Sequence, residues 1–222
     1  LLENDVKGII IDPILTTNYE FDNVRIIDKL SAERIPVVFV DRSVPRLDVP
    51  CIRTNNEEIT FKAIDYLLKA GHRDITVIRG KSWMFERRFE GVVSAFEANG
   101  VPMENCADIS IDSRGNLAYD TRMLIEALSA SRRGTAVIAL SEYFGRIAYR
   151  AMEDLGMRVP EDVSFITFDH PDESLLKEGR MTYIEQPLIR LGKTAAQFVI
   201  DMVEGKPVDP MGKVIKSKLI IG

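Results

Sequence analysis

The amino-acid sequence predicts an α/β protein built on parallel sheets with helices packed against them. Three observations predict it. Short runs rich in Val and Ile are apolar throughout, as strands buried on both faces must be. The segments between them carry apolar residues at three- and four-residue spacing, the period of a helix with one buried stripe. Glycines close several of those segments, at Gly71, Gly100 and Gly156, where a helix end favours a residue that can turn left-handed. A chain of 222 residues accommodates one large or two small lobes of this kind.

The elements follow in order. "GIII" (8–11) reads as a strand, and the apolar spacing over 23–34 reads as the helix after it. "VVFV" (37–40) is the next strand, and a helix over 57–70 stops at Gly71. "ITVI" (75–78) leads to a helix over 85–99, in which Phe85, Phe89, Val92 and Phe96 form one stripe while Glu86, Arg87, Glu90 and Glu97 fall away from it. "ADISI" (107–111) precedes a helix over 117–129, "AVIAL" (136–140) precedes one over 143–155, and "VSFITF" (163–168) follows. The unit is strand then helix, with no internal sequence repeat, low-complexity tract or long linker.

Composition excludes some functions. The net charge is -5 and no stretch of 18 apolar residues occurs, which argues against a membrane span and against this segment gripping nucleic acid through a basic face. Cys51 and Cys106 lack CxxC spacing and cannot form a disulfide scaffold, so they read as reduced packing residues, in keeping with a cytoplasmic protein. The chain opens on "LLENDVKGIIID", with no Met and no positively charged run before the apolar one. It therefore shows no export signal and reads as a piece that starts inside a fold.

Parallel sheets bind ligands outside the carboxyl ends of their strands. At those ends stand Asp12, Asp41 with Arg42, Arg79, Ser141 with Glu142, and Asp169 with His170. Any one of them has a plain explanation, Ser141 above all, because Asp and Ser often cap the next helix. As a set, carboxylates that accept from hydroxyls and arginines that donate to them describe a site for a polar molecule with many oxygens.

"VIRGKSWMFERRFEG" (77–91) poses a sharper choice. Its Gly-Lys-Ser follows an apolar strand as in a phosphate-binding loop, but that loop needs a glycine five positions earlier, where Ile75 stands inside the strand. The alternative has Gly80 releasing the chain, Ser82 capping the helix and Arg88 reaching the sheet edge. Enzyme motifs are weaker still. There is no GxSxG elbow and no metal-spaced cluster, His72 sits where a helix C-terminus explains it, and Asp169-His170 lacks a nucleophile.

Taken together, "KGIIIDP", "IPVVFVDR", "AIDYLLKAGHRDITVIRG", "RRFEGVVSAFEANGV", "GTAVIALSEYFGRIAYRAMEDLGMRVPEDVSFITFD" and "TYIEQPLIRLGKTAAQFVIDMVEGK" resemble, in order and over nearly the whole chain, the effector-binding domain of lactose-repressor-family transcription regulators. The resemblance implies a periplasmic-binding-protein-like fold: two doubly wound parallel-sheet lobes joined by crossover strands. The chain would cross near His72 to Asp74, return near Gln186 and cross again near Pro207. One lobe would hold residues 1–73 with 187–206, incomplete at its start, and the other 74–186 with 207–222. The family's earliest effector-domain elements would be missing, since "DVKGIIID" resembles its third strand.

The resemblance also assigns roles. Arg88 matches the family's effector-binding arginine, Asp169 the acid of its "FDD" block, and Asp41 the residue after "VVF" that faces the ligand. Ser141 stands where the family has Asn, and Gln186 sits at the return crossover. Trp83 either supplies the aromatic plane that "DSRGN" (112–116) lacks or merely packs. The implied function is that of a sensor in a longer cytoplasmic protein. A small polar effector, a sugar by family, would bind between the lobes and alter how a homodimer presents DNA-binding heads. Those heads are a helix-turn-helix domain absent from this chain. No enzyme activity, cofactor, metal or membrane is implied. A sugar-binding protein of an uptake system is the competing reading. For the dimer, Tyr143, Phe144, Ile147 and Met152 are candidates on a helix apolar beyond its core side, against the alternative that they pack on their own sheet.

Overall fold

The computed structural model describes residues 5–13, 19–81, 85–131, 134–169 and 181–222, with backbone alone at 19–21. The chain divides into two compact units: Leu1–Asn55 with Pro187–Lys216, and Asn56–Gln186 with Ser217–Gly222. Each is an α/β layer structure of the kind the apolar runs predict.

The first unit is a four-stranded parallel sheet in the order β1 (Ile9–Ile11), β2 (Val37–Val40), β3 (Cys51–Thr54), β9 (Gly212–Ile215). Alternate residues of β2 point to opposite faces, and the two faces are covered by different helices. Val37 and Phe39 join Ile27 and Leu30 of α1 (Tyr19–Ala32) in one apolar cluster. Val38 and Ile52 join Leu191 and Ala195 of α6 (Leu188–Val203) in another.

The second unit has six strands in the order β10 (Lys218–Ile220), β8 (Thr182–Glu185), β7 (Ser164–Phe168), β6 (Ala136–Ala139), β4 (Ile75–Gly80), β5 (Cys106–Ile111). All pairs are parallel except β10 with β8. β6 is buried along its whole length, which is why its sequence shows no polar alternation. Helices α2 (Asn56–Lys69) and α3 (Glu86–Ala98) pack on each other, as do α4 (Leu117–Ala130) and α5 (Glu142–Asp154). The stripe expected on α3 is the buried one: Phe85, Val92 and Phe96 lie in the core, with Phe89 packed against it.

The division between units differs from the expected boundaries at two places. The first passage falls at Asn55/Asn56 rather than 73/74, because α2 belongs with α3. The last falls at Lys216/Ser217 rather than 206/207, because β9 completes the first unit's sheet by pairing with β3. The helix offered for a dimer surface also proves committed. Ile147 and Met152 are fully buried and Phe144 is 4% exposed, all within the second unit's own core.

Contact between α2 and α3 depends on Gly91. A methyl group there would lie 2.3 Å from the Glu57 carbonyl oxygen and 2.9 Å from the Phe61 amide, backbone atoms that cannot rotate away. Gly91→Ala is expected to destabilise the chain by about 1–2 kcal/mol. Overpacking costs about 1–3 kcal/mol, more than the ~1 kcal/mol that alanine brings to a helix interior. Urea unfolding measures it, and an unchanged midpoint would show that the two helices are not in this close contact.

Candidate functional site

In the second unit the carboxyl edge of the sheet is organised around Arg88, the third residue of α3. Its Nε donates to Asn56 Oδ1 at 2.9 Å, Nη1 to the Leu140 carbonyl oxygen at 2.5 Å and Nη2 to Gln186 Oε1 at 3.2 Å. Beneath the guanidinium lies the Phe168 ring, with its centroid 3.7 Å from Cζ. A flat cation suits both demands, since its edge carries the donors and its face stacks on the ring.

Gln186 continues the chain of bonds. Its Nε2 donates to Asp169 Oδ2 at 2.7 Å and its backbone amide to Oδ1 at 3.3 Å. With Oε1 accepting from Arg88 and Nε2 donating to Asp169, only one orientation of the amide satisfies both neighbours. Arg88, Gln186 and Asp169 therefore form one connected group.

Asp169 follows β7 with φ +60°, and its amide donates to the Ile184 carbonyl at 2.7 Å. In the first unit Asp41 follows β2 in the same way, with φ +70° and its amide donating to the Ile52 carbonyl at 2.8 Å. Asp tolerates this left-handed conformation better than most residues. Both units thus end an interior strand by turning one aspartate out of the sheet. Asp41 binds Arg42 at 2.7 Å, and Arg42 also pairs with Asp12 at 3.2 Å. Partial burial pushes the Asp12 carboxyl up, Arg42 opposes this and Asp41 adds to it, with a net rise.

Other edge residues have structural occupations. Ser141 caps α5, its Oγ accepting from the Phe144 amide at 3.2 Å. Arg79 lies within β4, held by Asp108 through two bonds of 2.9 and 2.8 Å, by Glu86 at 3.1 Å, and by stacking on Phe89. The Lys81 amide donates to the Ile111 carbonyl, and a side chain at Gly80 would strike the Phe85 ring at 2.6 Å. Sheet pairing and packing, not a phosphate cradle, account for Gly80-Lys81. Trp83, Ser82 and His170 lie outside the described residues.

Two features escaped the sequence reading. Asn56 is the first residue of α2 and resembles an ordinary helix start. Asp120 on α4 is fully buried, accepting from Ser113 Oγ and Tyr143 Oη at 2.5 Å each and from the Arg114 amide at 3.2 Å. Burial alone would raise its pKa, but these donors outweigh it and hold the carboxyl below the ordinary range. The network ties the loop after β5 to the first turn of α5.

His72 Nδ1 meets Thr135 Oγ1 at 2.8 Å, just before β6 and so at the opposite end of the sheet. Burial pushes the Cys51 thiol up to about 11 and that of Cys106 to about 12, leaving both protonated at neutral pH. Among the described residues, no three His, Cys, Asp or Glu side chains converge as a metal site, and no helix is long and apolar enough to cross a membrane.

Two aspartate-terminated α/β units linked by repeated chain passage define a class, and comparison with known proteins identifies it. Residues 64–222 match the periplasmic binding protein-like domain, and the chain belongs to that family. Among curated relatives it is similar to the HTH-type transcriptional repressor CytR of Escherichia coli, 27% identical over 190 residues that make up 84% of this chain and 54% of CytR. It is also similar to the HTH-type transcriptional repressor PurR of Yersinia pestis, 31% identical over 84% of this chain and 55% of PurR. The chain spans about half the length of these relatives. Among solved structures it resembles a LacI family transcriptional regulator from Enterococcus faecium with bound ribose. There the TM-score is 0.81 at 23% identity, covering 99% of this chain and 79% of that one. The fold expected from sequence, an α/β periplasmic-binding-protein-like one, is therefore the fold observed.

Proposed function

We propose that this chain is the effector-sensing part of a longer DNA-binding transcriptional repressor, and that a small polar molecule, a sugar, binds at the carboxyl edge of the second unit's sheet. The observation that carries the reading is the connected group Arg88–Gln186–Asp169. It offers fixed donors and a carboxylate to neighbouring hydroxyls, a pattern suited to a polyol. Relatives named as HTH-type repressors, and a structural neighbour holding ribose, support the same reading. Asp41 at the edge of the first unit, Ser141 and Trp83 remain candidate ligand groups on this account. Effector binding would change DNA binding by a homodimer through heads outside this chain, in the cytoplasm.

A thermal-shift screen of sugars, sugar phosphates and nucleobases tests it. A ligand at about 100 times its dissociation constant stabilises the fold by roughly 2.7 kcal/mol. Asp169→Asn is expected to weaken that ligand by about 1.5–3 kcal/mol, the range for a hydrogen bond to a charged group, while leaving the chain folded because Asn also tolerates positive φ. Normal affinity beside a lowered melting temperature would make Asp169 a structural residue instead.

A further inference from the structure

Arg88 is anchored at the two residues where the chain enters and leaves the second unit. Asn56 opens that unit and Gln186 is its last residue before the chain passes to α6. A planar guanidinium gripped along its edge by Asn56, Leu140 and Gln186, and supported on one face by Phe168, has a single available orientation. These anchors are not equivalent. Gln186 is itself a ligand candidate, so a ligand oxygen can replace it on Nη2. Leu140 contributes a main-chain carbonyl that no substitution removes. Asn56 holds Nε through its side chain, reaching across 32 residues of sequence from the start of another helix.

We propose that Asn56 is a positioning residue for ligand binding: its Oδ1 fixes Nε of Arg88 and so aims the two Nη groups at adjacent ligand oxygens. The proposal rests on the sugar-sensing reading above and adds to it a residue that does not itself touch the ligand. An acceptor at this position is what the role demands, so aspartate should serve and alanine should not.

The test compares Asn56→Ala and Asn56→Asp with the unaltered protein, using D-ribose as the calorimetric probe and the Arg88 Nε–H signal in nitrogen-15 NMR, assigned by its loss in Arg88→Lys. Asn56→Ala should speed exchange of the Nε proton about tenfold and weaken D-ribose about tenfold, with a melting temperature close to that of the unaltered protein. Asn56→Asp should restore both readouts to within about threefold. An unchanged Nε–H signal and affinity in Asn56→Ala would overturn the proposal, as would an aspartate variant as impaired as the alanine one. Failure of the unaltered protein to bind D-ribose would count against ribose as the ligand, and the Nε–H exchange rates of the two variants would then decide the role of Asn56 by themselves.

Discussion

Asp120→Ala is expected to destabilise the chain by about 3 kcal/mol, the largest stability effect of any single side chain discussed above. The carboxylate is fully buried and accepts from two hydroxyls and a backbone amide. Removing it leaves those donors without an acceptor in a site that excludes water, at about 1–3 kcal/mol for each group that finds no replacement. The sign of its pH dependence follows from the lowered pKa. A group more acidic in the folded chain than in the unfolded one stabilises the fold above its unfolded pKa, and that stability is lost as the pH falls below about 4. Tyr143 behaves oppositely. Burial and the Asp120 carboxylate raise its pKa, so its contribution holds below about pH 10 and fades as the phenol ionises. Urea unfolding of Asp120→Asn from pH 7 to pH 3 should show a flatter acid limb than the unaltered protein. Parallel limbs would mean that the carboxylate is not the buried acceptor.

For ligand binding the largest effect is expected at Arg88. Arg88→Lys keeps the charge but loses the bond to Asn56, the fork of parallel donors and most of the stacking on Phe168. Affinity should fall by about 10- to 100-fold, the equivalent of one or two charge-assisted hydrogen bonds. Lys81→Ala should change it by less than about twofold. Lys81 is exposed, and its place in the fold depends on its backbone amide, which an alanine retains.

Much of this fold was legible because burial leaves a one-dimensional trace. β2 and β6 are continuous apolar runs and β4 and β7 are dominated by apolar residues, and the observed elements match the expected ones to within about two residues, except that α1 begins at Tyr19, four residues before the expected start. The strands that went unread are "CIRT", "TYIE", "GKVI" and "KLI". Each is three or four residues long with a charged or polar residue inside it, and each becomes a strand through the neighbour it pairs with rather than through its own pattern. The same limit explains the unit boundaries. Whether α2 belongs with the strand before it or with the helix after it depends on Gly91, whose close approach to α2 appears only in three dimensions.

At the site, Arg88, Asp169 and Gln186 were legible from strand ends and family resemblance, and the structure brings them into one hydrogen-bonded group. At the edge, nothing local announces that Arg79 is held by Asp108, 29 residues further along. Asp120 and Asn56 were invisible for a related reason. Both sit near the starts of helices, where acidic and amide residues are ordinary, and only long-range partners distinguish them.

On the proposed function, "VIRGKSWMFERRFEG" serves a polar ligand through its arginine and not a phosphate through its lysine. Isothermal titration of the unaltered protein, Arg88→Lys and Lys81→Ala with the ligand found by the thermal-shift screen tests it most directly. Lys81→Ala is expected to bind like the unaltered protein and Arg88→Lys to be weaker by at least about tenfold. A Lys81 variant that no longer binds, beside an Arg88 variant that binds normally, would contradict it.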